Sequence, residues 1–162
     1  MEPTIVRLDE QAYVGRRASI VMTDFAQVAD HLPTMFGWLA ERGIAVAGPP
    51  FFRYRVIDMS AELTIEAGIP VTGNVEVEEP TFVGSLPAGR YATVAHVGHP
   101  DELMAVTAGL LDWAQQQGLA WDMTPTPEGE VWGCRLEISM TNPAEEPDMH
   151  KWETVLMFRL AD

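Results

Sequence analysis

Two stretches of the chain repeat apolar side chains at helical spacing, and both end on nearly the same phrase. In the first, Leu32, Met35, Phe36 and Leu39 recur at steps of three and four and form one apolar stripe. It runs into "FGWLAERG", where Gly43 is a C-terminal stop signal. The pattern places the start of this helix near Thr23 or Asp24 and predicts a kink or division at Pro33. In the second stretch, Leu103, Val106, Leu110 and Ala114 form the stripe and "LDWAQQQG" closes it at Gly118. Pro100 suits a first helical position there, and Asp101 and Glu102 complement the positive end of the helix dipole. Trp38 and Trp113 occupy equivalent places in the two copies.

Around each helix the period falls to two, the signature of half-buried strands. "AYVGRRASIV" precedes the first helix, and "PPFFRYRVI" and "AELTIEAGIPV" follow it, joined by a short polar connection at Asp58–Ser60. "GRYATVAHVG" precedes the second, entered through "LPAG"; "EVWGCRLEISM" and "KWETVLMFRL" follow, joined by "TNPAEEPDMH". Each half therefore reads strand, helix, strand, strand. The prediction is a single α+β domain over residues 1–162, a tandem duplication with repeats at about 1–71 and 81–162 and a linker at 72–80. Two such modules join into one antiparallel sheet with both helices on one face. The bare face then forms a groove where the copies meet, a usual place for a small ligand.

Alternation assigns side chains to the two faces. Leu63, Ile65 and Ala67 are expected under the helix, leaving Glu62, Thr64 and Glu66 opposite. In the last strand Trp152, Thr154, Leu156, Phe158 and Leu160 are the helix-facing set, with Glu153, Val155, Met157 and Arg159 on the other side. In "VWGCRLEISM" the same reasoning puts Trp132, Cys134, Leu136, Ile138 and Met140 under the helix and Arg135, Glu137 and Ser139 in the groove. Phe52, Tyr54 and Val56 suit either face. The groove set is thus Tyr54, Glu66, Glu137, Ser139, Glu153 and Met157. Acids beside aromatic rings suit lipophilic cations, and an ordinary solvated sheet face accounts for the carboxylates as well.

Composition narrows the field. Ten Lys and Arg against 24 Asp and Glu give a net charge of −14, which disfavours nucleic-acid binding. No apolar run approaches the ~20 residues of a membrane span, and no secretory signal is evident at "MEPTIVRLDE". The lone Cys134 excludes an intrachain disulfide and points to the cytoplasm. No phosphate-binding loop, dinucleotide fingerprint or nucleophile elbow is present, so no cofactor is expected. His96 and His99 in "HVGHP" lack further metal ligands; they read as one histidine bonding nearby backbone and one at a helix N-cap, and no metal is expected. Met157 is the methionine placed to suit a promiscuous pocket.

The phrases "YVGRRASIV", "FGWLAERGIAVAGPPFFRYR", "AGIPV", "LPAGRYATVAHVG", "LLDWAQQQGL" and "NPAEEPDMHKWET" together resemble the GyrI-like small-molecule-binding domain, related to AraC effector-binding and SOUL domains. The resemblance runs from about residue 4 to 160 and implies a duplicated strand-helix-strand-strand fold with a ligand groove between modules. It implies a stand-alone, multidrug-type binder of hydrophobic aromatic compounds, cationic ones included. Relatives open two other readings: a hydrolase for strained cyclopropane rings of genotoxic natural products, with Glu137 or Glu153 as general base, and a gyrase-inhibitor-like protein with a protein partner. His96 falls in a well-matched segment and is added to the groove set. Two departures stand out. Relatives carry a glutamate on the final strand where this chain has Val155, and a tyrosine where it has Ser139. Glu66, Glu137 and Glu153 are the acids left to substitute.

Overall fold

The computed structural model of the protein describes residues 2–21, 25–58 and 62–161. In the first half β1 (Thr4–Leu8) and β2 (Gln11–Ile20) precede α1 (Phe25–Ala29) and α2 (His31–Glu41), which lead into β3 (Phe51–Ile57) and β4 (Leu63–Pro70). In the second half β5 (Phe82–Leu86) and β6 (Gly89–Val97) precede α3 (Leu103–Gln116). Then come β7 (Met123–Thr126), β8 (Gly129–Trp132), β9 (Arg135–Ser139) and β10 (Glu153–Arg159). The duplicated strand-helix-strand-strand plan is therefore present, with the short strands β1, β5 and β7 added to it. The expected helix start at Thr23 or Asp24 lies outside the described residues, as do residues 59 and 60 of the polar connection.

The first helix divides at Asp30, three residues before the proline that was expected to break it. Pro33 is the third residue of α2, in the first turn, where a backbone N–H has no partner within the helix and its loss costs little. Gly43 and Gly118 follow α2 and α3 with φ of +66° and +71°, the left-handed conformation of a helix stop.

All ten strands belong to one sheet, ordered β1-β6-β10-β9-β3-β4-β2-β5, with β8 also pairing β3 and β7 pairing β8. Every pairing is antiparallel. The halves join where β3 meets β9, with Phe51 opposite Ile138 and Arg53 opposite Leu136. β1 and β2 are separated only by Asp9 and Glu10 yet stand near opposite ends of this order, so the sheet curls to bring its ends together.

Register partners share a face, which allows the sheet to be read in rows. Val94, Leu156, Glu137, Phe52 and Ala67 form one row across five strands. Its apolar members pack with Met35 and Leu39 of α2 and Leu110 of α3 in the larger core, so this is the helix-bearing face. α1 and α2 pack on β2 and β4, and α3 packs on β6. The neighbouring row, Thr93, Met157, Leu136, Arg53, Glu66 and Arg17, points the other way. A second core of Tyr13, Phe51, Tyr91, Cys134 and Leu136 lies on that helix-free face.

These rows correct the expected placement of "VWGCRLEISM". The segment is two strands, interrupted at Gly133 and Cys134, so alternation does not carry through it. The Gly133 N–H donates to the Asp122 carbonyl at 2.8 Å, and the Cys134 carbonyl accepts from the Arg159 N–H at 2.8 Å. Asp122 lies so close to Gly133 that a Cβ there would stand 1.8 Å from a carboxylate oxygen. Trp132 stays with the helix-side core, while Cys134 and Leu136 belong to the opposite one. Arg135, Glu137 and Ser139 consequently lie on the helix-bearing face, opposite Phe158, Leu156 and Thr154.

Candidate ligand cleft

The helix-free face holds a cleft of about 430 Å³ where the two repeats meet. Phe51 and Pro70 enter it from the first repeat; Tyr91, Leu136, Ile138 and Met157 enter it from the second. Leu8 and Leu86, from the edge strands β1 and β5, close its ends, and Asp9 and Glu10 stand at its lip. The walls are apolar because the row above them is apolar throughout. Ala95, Val155, Ile138, Phe51 and Gly68 are successive register partners. Tyr91 presents its ring to the cleft while its hydroxyl donates to the Pro87 carbonyl at 2.6 Å.

A buried polar network lies on the same face. Glu66 is fully buried and both its oxygens are occupied. One accepts the Tyr13 hydroxyl; the other accepts Arg17 Nη2 at 2.7 Å and Nε at 3.1 Å, with Arg55 Nε at 3.9 Å. Arg55 follows Arg53 by two residues and shares its face; the β3–β4 register shift between Tyr54 and Val56 instead sets Val56 opposite Thr64 and Ile57 opposite Leu63. Arg53, also buried, donates to the Tyr13 hydroxyl at 3.1 Å and to the carbonyls of Ser85 and Gly133 at 3.1 and 2.8 Å. Burial, with the Glu66 charge beside it, pushes the Tyr13 hydroxyl far above the ordinary phenol range. Glu66 is thus a buried structural acid with three cationic side chains around it, and it does not line the cleft.

The eight residues expected in one groove are divided between the faces. Met157 lines the cleft, and Val155, Glu66 and Glu153 share its side of the sheet. Tyr54, His96, Glu137 and Ser139 belong to the helix-bearing face, the last two because of the break at Gly133. Tyr54 stands opposite Ile65 and donates to Glu137 at 3.0 Å. Desolvation raises the Glu137 carboxyl above its ordinary value, partly offset by that hydrogen bond and by Arg135. Glu137 and Glu153, the two acids of the hydrolase reading, therefore face away from each other and form no acid–base pair.

His96 stands against α3 beside Val94, Val106 and Leu110, at a smaller cavity of about 240 Å³, and pairs with Glu102 at 3.1 Å. His99 Nδ1 accepts the Asp101 N–H at 3.0 Å, capping the turn that opens α3. Among the described residues no cluster of three or more His, Cys, Asp or Glu could hold a metal. No helix there is long and apolar enough to cross a membrane.

Sequence reasoning missed Tyr13, Arg17, Phe51 and Arg53. The first two were within reach, since Tyr13, Gly15 and Arg17 alternate along "AYVGRRASI" and Gly15 leaves room for the rings of Tyr13 and Phe82.

A curled antiparallel sheet made of two strand-helix-strand-strand modules, with an apolar cleft at their seam, defines the class of duplicated effector-binding domains. The family model described as the GyrI-like small molecule binding domain matches residues 1–158, and the chain belongs to that family. The C-terminal domain of EcmrR is similar at 15% identity and a TM-score of 0.76, covering 99% of this chain and 98% of that one. In the EcmrR–DNA complex the TM-score is 0.78 at 15% identity; the match covers 99% of this chain but spans only 57% of that one. SAV2435 bound to tetraphenylphosphonium is similar at 13% identity and a TM-score of 0.59, covering 99% of this chain and 94% of that one. A search of the curated proteins by sequence finds no match.

Proposed function

We propose that the protein binds a hydrophobic aromatic small molecule in the cleft on its helix-free face, and that an uncharged ligand suits it better than a lipophilic cation. One observation carries this reading: the cleft takes its walls from both repeats and is apolar, while the buried acid on its face, Glu66, is already neutralised by Arg17, Arg55 and the Tyr13–Arg53 pair. Burial of rings supplies the affinity in such a site, and a cation entering it meets no free counter-charge except Asp9 and Glu10 at the lip. The SAV2435 complex supports the family's capacity for bulky aromatic ligands.

The test is a thermal-shift comparison of triphenylphosphine oxide, which is neutral, with tetraphenylphosphonium, on the wild type and on Val155→Glu. A ligand at 100 times its Kd adds about 2.7 kcal/mol, or roughly 5–10 °C for a domain of this size. The expected result is a shift of the wild type by the neutral compound, and a gain of the cation's shift in Val155→Glu. A wild type shifted by the cation alone, or by neither compound, contradicts the reading.

A further inference from the structure

On the helix-bearing face, β10, β9 and β3 lie between the strand covered by α3 and those covered by α1 and α2. Arg135 stands there, half-buried, with its guanidinium carbon 4.5 Å from the Phe158 ring centroid, 4.8 Å from that of Trp132 and 5.8 Å from that of Tyr54. Three rings around one cation make an aromatic cage whose occupant is the chain's own side chain. The acids within electrostatic reach of Arg135 are Glu137 and Glu130. Each is engaged elsewhere: Glu137 accepts the Tyr54 hydroxyl at 3.0 Å, and Glu130 accepts the Trp132 indole N–H at 3.3 Å. Among the described residues no hydrogen-bond acceptor or carboxylate partner meets the Arg135 guanidinium. The other arginines that are not exposed, Arg16, Arg53, Arg55, Arg90 and Arg159, each reach a hydroxyl, carbonyl or carboxylate.

We infer that Arg135 and its ring cage form a second ligand site, on the face opposite the cleft, for a planar aromatic carboxylate. The rings fix the guanidinium plane and leave its N–H edge free, the geometry that meets a carboxylate through two parallel hydrogen bonds. A lysine in that place would present a point charge without the fork. The same arrangement excludes a lipophilic cation, because the cage already holds one and a second would meet like charge. The overall charge of −14 opposes an anion at long range but is screened beyond about 8 Å at physiological salt.

Titrate the protein at 150 mM salt with 2-naphthoate and, as the neutral isostere, 2-naphthamide. Follow the Nε–H signal of Arg135, assigned by its absence from Arg135→Met. The carboxylate is expected to move that signal saturably and to bind at least tenfold more tightly than the amide. Arg135→Met, which keeps most of the packing, loses at least tenfold in 2-naphthoate affinity while triphenylphosphine oxide binding in the cleft is unchanged; Arg135→Lys falls between. Equal binding of acid and amide overturns the inference, as does no saturable binding of 2-naphthoate or its retention by Arg135→Met. Should Arg135→Met fail to fold, the acid–amide comparison on the wild type decides alone.

Discussion

Gly68 offers a direct way to close the cleft without touching its walls. It lies in β4 opposite Phe51, and a Cβ on it would stand 2.5 Å from Phe51 Cζ, 2.6 Å from Cε2 and 3.0 Å from Tyr13 Cδ2. Carbon atoms prefer about 3.5–4.0 Å, so in Gly68→Ala the Phe51 ring must retreat by roughly 1 Å. The Tyr13 ring meets Phe51 edge-on at 5.1 Å and blocks one direction. Ile138, its register partner, blocks another, and the cleft is the open side. Overpacking of this kind costs about 2 kcal/mol, a fall in Tm of roughly 4–8 °C. With the ring moved into the cleft, triphenylphosphine oxide should bind about tenfold more weakly, equivalent to ~1.4 kcal/mol. Scanning calorimetry and a dye-displacement titration read the two effects. The cause is checked by Phe51→Leu, which lacks the clashing ring atoms: combined with Gly68→Ala it should cost less than the sum of the two single changes. A stability for Gly68→Ala within about 0.5 kcal/mol of the wild type, or strict additivity in the double variant, would refute the reasoning.

Three further outcomes follow from the same geometry. Tyr13→Phe removes a donor to Glu66 and an acceptor from Arg53, both buried, and should cost about 2–3 kcal/mol in urea denaturation; a change under about 0.5 kcal/mol would show that the network is slack. Burial raises the Glu137 carboxyl, so the folded chain holds that proton more tightly than the unfolded one, and this group's contribution falls as pH rises from the ordinary carboxylate range through the raised folded value. Glu137→Gln should therefore gain on the wild type as pH climbs from about 4 to 7; parallel urea midpoints across that range would contradict it. Burial also raises the Cys134 thiol, so it should resist a disulfide reagent at pH 8 in the native protein and react at once in denaturant, whereas rapid native reaction would mean the second core opens readily.

Long, unbroken periodic segments were legible in the sequence. The stripes of α2 and α3, apart from Phe36, which is exposed, the closing glycines and the two repeats all follow from spacing, and β4 and β10 show their faces by simple alternation. What was not legible came from tertiary contact. β1 and β7 have only five and four residues and gain their identity from the partner that covers them. Gly133 and Cys134 are drawn out of the strand by contacts with Asp122 and Arg159, and that break moves Arg135, Glu137 and Ser139 to the other face. The irregularity after Tyr54 does the same for Ile57, turning it onto the helix-bearing face opposite Leu63. Parity thus puts Glu66 on its proper face of the sheet, though buried and not in the cleft lining, and puts Glu137 on the wrong face. Neither alternation nor composition could show that Glu66 is already engaged, because its partners Tyr13 and Arg17 come from a strand 49 or more residues away.

The most direct measurement is a methyl-detected NMR titration with triphenylphosphine oxide on protein labelled at Leu, Ile and Met. The account predicts saturable shifts concentrated at Leu8, Leu86, Leu136, Ile138 and Met157, which line the cleft, with Ile65 and Leu156 on the helix-bearing face unmoved. Saturable shifts centred on Ile65 and Leu156, or none at all, would contradict a ligand cleft at the seam of the repeats.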